Sequence, residues 1–322
     1  MKKQSSEGRF LILKVSTNIL YDHFPLGAGL NSFPFIYPQY QASFYEKGNM
    51  SESEILRADS TSFAFNEFLQ TACELGFVGV LLIGTILGKV LIANDNENKP
   101  AKFAVLSILF SSVFYYAFHS TLILLFTLLI LSLLFSGDKN FHFQPIINRV
   151  FYIFLLTSTL FISRSNLSKY SAVKTLDKLL IVNNNDIYQY KKLEHKLSDN
   201  TYFLYHYSVK LFMNSMPQKS LKILSLLDKY KIWYESEILK GNIYVESSDL
   251  DKAKECYANA INICPGKFNA RYKLLNVYRN MSEKEKALNV ALEIIKLPEK
   301  VPSATTLAIK MEAESYINEY KN

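Results

Sequence analysis

From Phe103 to Gly137 the chain carries no Lys, Arg, Asp or Glu, and the residues between Glu74 and Lys89 carry none either. Helices of a soluble core keep a polar face, so runs of this length fit the hydrocarbon of a bilayer instead. Phe103 to Ser136 is thirty-four residues, too long for one crossing and long enough for two short ones, with His119 and Ser120 at the tip between them. The reading is about four transmembrane helices, at residues 68–93, 103–118, 120–136 and 146–163. The fourth is short, but Arg149 and Arg164 at its ends can snorkel. Asn94 to Pro100 reads as a turn, because Asn and Pro break helices. Lys89, Lys99 and Lys102 flank that turn, and Lys139 and Arg149 flank the later one, whereas the His119 tip has no basic residue. The positive-inside rule then puts residues 94–102 and 137–149 in the cytoplasm. Residues 1–67, His119 and everything after Ser163 fall outside it.

The second half follows another period. Gly241, Tyr244, Ala253, Tyr257 and Ala260 recur thirty-four residues later as Leu275, Tyr278, Ala287, Ala291 and Ile294. That is the period and residue pattern of a tetratricopeptide unit, in which small residues let two helices approach and aromatics fill between hairpins. A degenerate hairpin is expected over Tyr202–Tyr230, a capping helix over Ser303–Tyr320, and one further helix pair over residues 165–198. The expected fold is all-α: about four transmembrane helices followed by a tetratricopeptide-like α-solenoid. Its domains are a loop segment with short helices at 1–67, a membrane segment at 68–163 and the repeat domain at 164–322.

Composition excludes several classes. The net charge of +7 suits a neighbour of anionic lipid or phosphate, but no nucleic-acid motif accompanies it. The three cysteines and five histidines have no metal-ligand spacing. Cys256 and Cys264 lie about 12 Å apart along one expected helix, too far to bridge, so the cysteines read as packing residues. Phe10 to Leu13 is too short an apolar run after Lys2 and Lys3 to be a signal-peptide core.

At the entry to the first span, Asn66, Gln70 and Glu74 are four apart and form one polar stripe. An ionisable group at that depth is costly without work or a partner. Three segments in order carry a further signal: Gly8-Arg9 with Ile12 and Lys14, Pro25-Leu26-Gly27-Ala28-Gly29 ending at Phe33, and Phe65-Asn66 leading to Glu74-Leu75-Gly76. Together, over roughly residues 5–137, they resemble the O-antigen ligase and O-antigen polymerase superfamily. The chain departs from that pattern at Phe65, which stands at the family's His position.

The resemblance implies transfer of a glycan from an undecaprenyl-diphosphate carrier to an acceptor glycan or lipid at the outer face of a bacterial inner membrane, without metal or cofactor. On it, Arg9 would hold the diphosphate, since a guanidinium offers a bidentate fork. Asn66 and Gln70 would line the site. Glu74 would either orient Arg9 or take the acceptor proton, and His23 is a second proton acceptor in the same loop. Relatives place several membrane helices before the Gly-Arg segment, so the chain reads as the C-terminal part of a longer protein. The alternative is a non-catalytic membrane scaffold whose repeats recruit a protein on their concave face for envelope assembly. No nucleic-acid partner is expected.

Overall fold

A computed structural model describes residues 2–92, 95–115, 117–135, 166–182 and 186–321. All regular structure among the described residues is helical. In chain order the helices are α1 (Lys2–His23), α2 (Phe33–Glu46), α3 (Glu52–Ile55), α4 (Glu67–Ile92), α5 (Asp95–Ser112), α6 (Thr121–Phe135) and α7 (166–181). They continue as α8 (Ile187–Glu194), α9 (Thr201–Met213), α10 (Pro217–Leu227), α11 (Tyr234–Glu246) and α12 (Leu250–Ile263). The last three are α13 (Phe268–Asn280), α14 (Lys284–Lys296) and α15 (Ala304–Lys321). Two compact units result: residues 1–88, 109–120 and 228–322 form one, and residues 89–108 and 121–227 the other.

In the first unit, the segment expected to be a loop with short helices is mostly helix, and α1 alone has 22 residues. Leu11, Val15 and Ile19 recur every fourth residue and are buried against Phe33 and Tyr37 of α2. Lys14 within it and Glu7 one turn before it hid this stripe in the sequence. They are used in pairing: Lys14 lies 3.3 Å from Glu54, and Arg57 lies 2.7 Å from Glu7. The single turn of α3 is set by a capping box in which Ser51 and Glu54 satisfy each other's backbone N–H.

The same segment docks on the repeats. Gln41 of α2 is fully buried and donates from Nε2 to the Ile263 carbonyl at 2.6 Å. Tyr37 donates its hydroxyl to Gln41 Oε1 at 2.9 Å. Arg271, 2% exposed, donates to the Tyr45 hydroxyl at 2.7 Å, to Glu293 at 3.3 Å and to the Pro265 carbonyl. A buried guanidinium needs such partners, since its desolvation is otherwise uncompensated.

The repeat phase holds in the structure. Hairpins α11–α12 and α13–α14 pack in sequence, and α15 closes against α14. Ala253, Ala260, Ala287 and Ala291 have no exposed surface. A Cβ on Gly241 would overlap the Tyr257 ring, so the close approach of α11 and α12 depends on that glycine. Burial pushes the thiols of Cys256 and Cys264 up to about 12, as suits packing residues. In the second unit, Leu176, Tyr190, Leu197, Phe203, Leu204 and Leu211 form the core of α7–α9, and α9 packs on α10 as a hairpin.

Among the described residues, α4 is the one helix long and apolar enough to cross a membrane. Beyond Gly76 it exposes Phe77, Val78, Val80, Leu81, Leu82 and Ile86. The second and third expected spans differ from their sequence bounds. Residues 95–100, expected as a turn, are the first turns of α5, and Pro100 sits inside the helix. A proline there offers no N–H to the carbonyl four residues earlier. The apolar part of α6 runs only from Leu122 to Ser132. The fourth expected span, 146–163, lies outside the described residues.

Candidate functional site

Two motif segments that are 45 residues apart in the sequence interlock. α4 breaks at Gly76 (φ 57°, ψ −137°), a conformation that only glycine adopts readily. The carbonyls and amides freed by the break pair with the Pro25–Gly29 turn. Phe77 N–H donates to the Pro25 carbonyl at 2.7 Å, Ala28 N–H to Cys73 at 2.8 Å, and Gly29 N–H to the Glu74 carbonyl at 2.9 Å. One contact therefore explains Gly27 and Gly76, at which a Cβ would overlap the facing backbone.

Glu74 is 8% exposed and sits behind this contact. Its Oε2 accepts the Asn31 N–H at 2.8 Å. Its Oε1 accepts the Phe33 N–H at 3.4 Å and the Gln70 amide at 3.3 Å. Ser32 makes no side-chain cap for α2, so Glu74 satisfies that helix start from outside. The carboxylate thus has partners within the protein.

The rest of the polar stripe is also turned inward. Asn66 Oδ1 accepts the Leu69 N–H at 3.0 Å, which makes it the cap of α4. Gln70 Oε1 accepts the Ala64 N–H at 3.1 Å. Arg9 is exposed and lies with its guanidinium carbon 5.5 Å from the centroid of Phe65. Phe65 itself has φ 53°, unusual for a bulky residue and a local strain at this position. No ion pair joins Arg9 to Glu74 among the described residues. His23 ends α1, with its ring 6.1 Å from that of Tyr40.

The structure brings in a pair that the sequence reading did not join. Glu67, 9% exposed at the start of α4, accepts the Phe118 N–H at 2.9 Å and lies 3.1 Å from His119 Nδ1. The His119 ring meets Phe63 edge-on at 4.5 Å between centroids. A signal for the pair existed: the expected alternation of spans would put residues 67 and 119 at one face.

A separate cleft of about 300 Å³ lies where α2 meets α11 and α12, bordered by Gln39, Glu46, Asn259 and Asn262. In its wall Lys240 lies 2.6 Å from both Asp228 and Glu237. One ammonium faces two carboxyls, Glu237 buried and Asp228 half-buried, and desolvation raises both. No group of His, Cys, Asp and Glu able to hold a metal occurs among the described residues.

These features define an all-helical protein in which tetratricopeptide-like hairpins and the start of a broken apolar helix share one unit. Comparison with known proteins adds little to that class. No family model matches the sequence, and no curated protein matches it. Two crystal structures of MamA are similar over part of the chain. One aligns 47% of this chain with 89% of its own at 19% identity and a TM-score of 0.39. The other aligns 44% with 90% at 20% identity and a TM-score of 0.37. Likenesses of this size carry no argument about function.

Proposed function

We propose that the chain belongs to a membrane glycosyltransferase that moves a glycan from a polyprenyl-diphosphate carrier to an acceptor glycan or lipid at the outer membrane face. The about four apolar spans form its membrane part, and the repeats lie outside the cytoplasm. The observation that carries the reading is the interlock of Pro25–Gly29 with Glu74–Gly76. It gathers segments that resemble one family into one place, with Arg9 on Phe65 beside the α4 start. Arg9 holds the diphosphate through its fork, and Asn66, Gln70 and Glu74 keep the surrounding backbone in place. The reaction needs no cofactor.

Transfer of an undecaprenyl-diphosphate-linked oligosaccharide by the membrane-embedded chain, together with any segment that precedes it in the intact protein, tests the reading. Arg9→Ala is expected to abolish transfer, and Arg9→Lys to restore little, because a point charge does not replace the fork. Full transfer by Arg9→Ala would remove Arg9 from the site. A second reading, a membrane-anchored scaffold for envelope assembly, is favoured by one observation: both Glu74 oxygens are engaged in holding backbone. Absence of transfer by the wild-type protein, with a partner retained on the repeats, would select it.

A further inference from the structure

Transfer to a hydroxyl needs a group that takes its proton. Neither Glu74, whose oxygens accept N–H groups from Asn31, Phe33 and Gln70, nor Phe65 provides one, and His23 stands apart from the α4 start, at the end of α1 beside Tyr40. We infer that His119, positioned by Glu67, is the proton acceptor of the site, and that the site lies across residues 63–67 between His119 and Arg9. The inference rests on the transferase reading above.

The geometry is that of an imidazole held by a buried carboxylate. Glu67 Oε1 already accepts the Phe118 N–H at 2.9 Å, and so it acts as an acceptor toward Nδ1 at 3.1 Å as well. Donation of Nδ1–H to Glu67 puts the lone pair of the ring on Nε2. Glu67 is 10% exposed in its side chain and His119 is 38% exposed, so the carboxylate is sheltered and the ring is reachable. Phe63 fixes the ring plane from the side. Phe63 and Phe65 are two residues apart, so their Cα atoms lie within about 7 Å. One aromatic carries His119 and the other carries Arg9. The acceptor hydroxyl then belongs on the His119 side of this segment and the diphosphate on the Arg9 side.

The step balances as follows. Nε2 of His119 takes the proton of the acceptor hydroxyl as its oxygen bonds to the anomeric carbon of the donor. The bond from that carbon to the diphosphate oxygen breaks, and its electron pair leaves with the lipid diphosphate beside Arg9. The imidazolium later returns its proton to solvent.

The test uses the full chain in its membrane protein, with undecaprenyl-diphosphate-linked oligosaccharide as donor probe. His119→Ala is expected to lower the rate of transfer about 10²- to 10⁴-fold with little change in donor KM, and added imidazole to restore part of it. Side-chain nitrogen NMR, with the His119 signal assigned by its loss in His119→Gln, is expected to report the Nδ1–H tautomer. Glu67→Gln is expected to abolish that signature and to lower transfer. Transfer within a few-fold of wild type in His119→Ala, or an unchanged tautomer in Glu67→Gln, would overturn the dyad alone. Absence of transfer by the wild-type protein would instead overturn the transferase reading and the dyad with it.

Discussion

Gly27 and Gly76 each occupy the space that a side chain on the other would need. A Cβ on Gly27 would overlap the Gly76 amide, and a Cβ on Gly76 would overlap the Gly27 amide. Both have positive φ, at 80° and 57°. The backbone hydrogen bonds between Pro25 and Phe77 and between Gly29 and Glu74 exist only because neither carries a side chain.

Gly76→Ala is accordingly expected to destabilise the full chain by at least about 1–3 kcal/mol, through backbone strain and overlap together. Gly29 provides the comparison. It also has positive φ, 105°, but a Cβ there meets open space, so Gly29→Ala should cost the strain alone. Thermal melting in detergent would read both. Equal losses for the two variants would mean that the interlock contributes nothing beyond conformation.

Gly241 makes a similar claim for the repeats. Its Cβ would enter the Tyr257 ring, and Tyr257 is held in turn by its hydroxyl on Asn242 Oδ1 at 2.9 Å. Gly241→Ala should lower stability by about 1–3 kcal/mol, and adding Tyr257→Leu should recover part of the loss by making room. Strict additivity of the two changes in a double-mutant cycle would refute the contact.

Stability should depend on pH with two opposite signs. Burial raises Asp228 and Glu237 above their ordinary 3.8 and 4.5, despite Lys240 between them. The folded chain then takes up protons before the unfolded chain does, so stability increases as pH falls toward those values. Asp59 and Glu54 behave in the opposite way. Burial alone would raise them, but Lys267 together with hydrogen bonds from Ser60 and Cys264 outweighs it for Asp59, and Ser51 with Lys14 outweighs it for Glu54, holding both below 3.8 and 4.5. Their contribution is complete above the unfolded values and is lost as pH falls through the folded ones. The melting temperature should rise as pH falls from neutrality toward the ordinary carboxylate range, and fall again as pH drops below it. Asp228→Asn should flatten the rise, and Asp59→Asn should soften the fall. A melting curve of Asp228→Asn parallel to wild type would contradict the first half.

The topology has a direct readout. Ser247 is exposed in the turn between α11 and α12, and the native thiols of Cys73, Cys256 and Cys264 are buried. Ser247→Cys in intact cells should react with a membrane-impermeant thiol reagent if the repeats lie outside the cytoplasm. Labelling confined to lysed cells would reverse the orientation.

What was legible in the sequence follows from how far each signal reaches. The repeats were readable because Ala253, Ala260, Ala287 and Ala291 are local to their hairpins and repeat in register. α1 was not, because Lys14 interrupts the apolar stripe of Leu11, Val15 and Ile19 and Glu7 and Arg9 crowd its start. The docking of α2 on the repeats was beyond reach for another reason. Gln41 and Ile263 are 222 residues apart, and a side-chain amide on a carbonyl leaves no periodic trace. Asn66, Gln70 and Glu74 were correctly seen as one face, but a stripe does not say which way it points. The structure turns it toward Ala64, Asn31 and Phe33.

α2 is held at both functions of the first unit. Its first turn hangs on the Glu74 carboxylate at the break in α4, and its middle is fastened by Gln41 to the end of α12. Its 14 residues span about 21 Å, and a helix of that length transmits push and pull with little give. A load applied to the repeats would therefore reach the break in α4 as a tug on two amide protons, those of Asn31 and Phe33. The chain has in effect a tie rod, and Glu74 is the nut at its end.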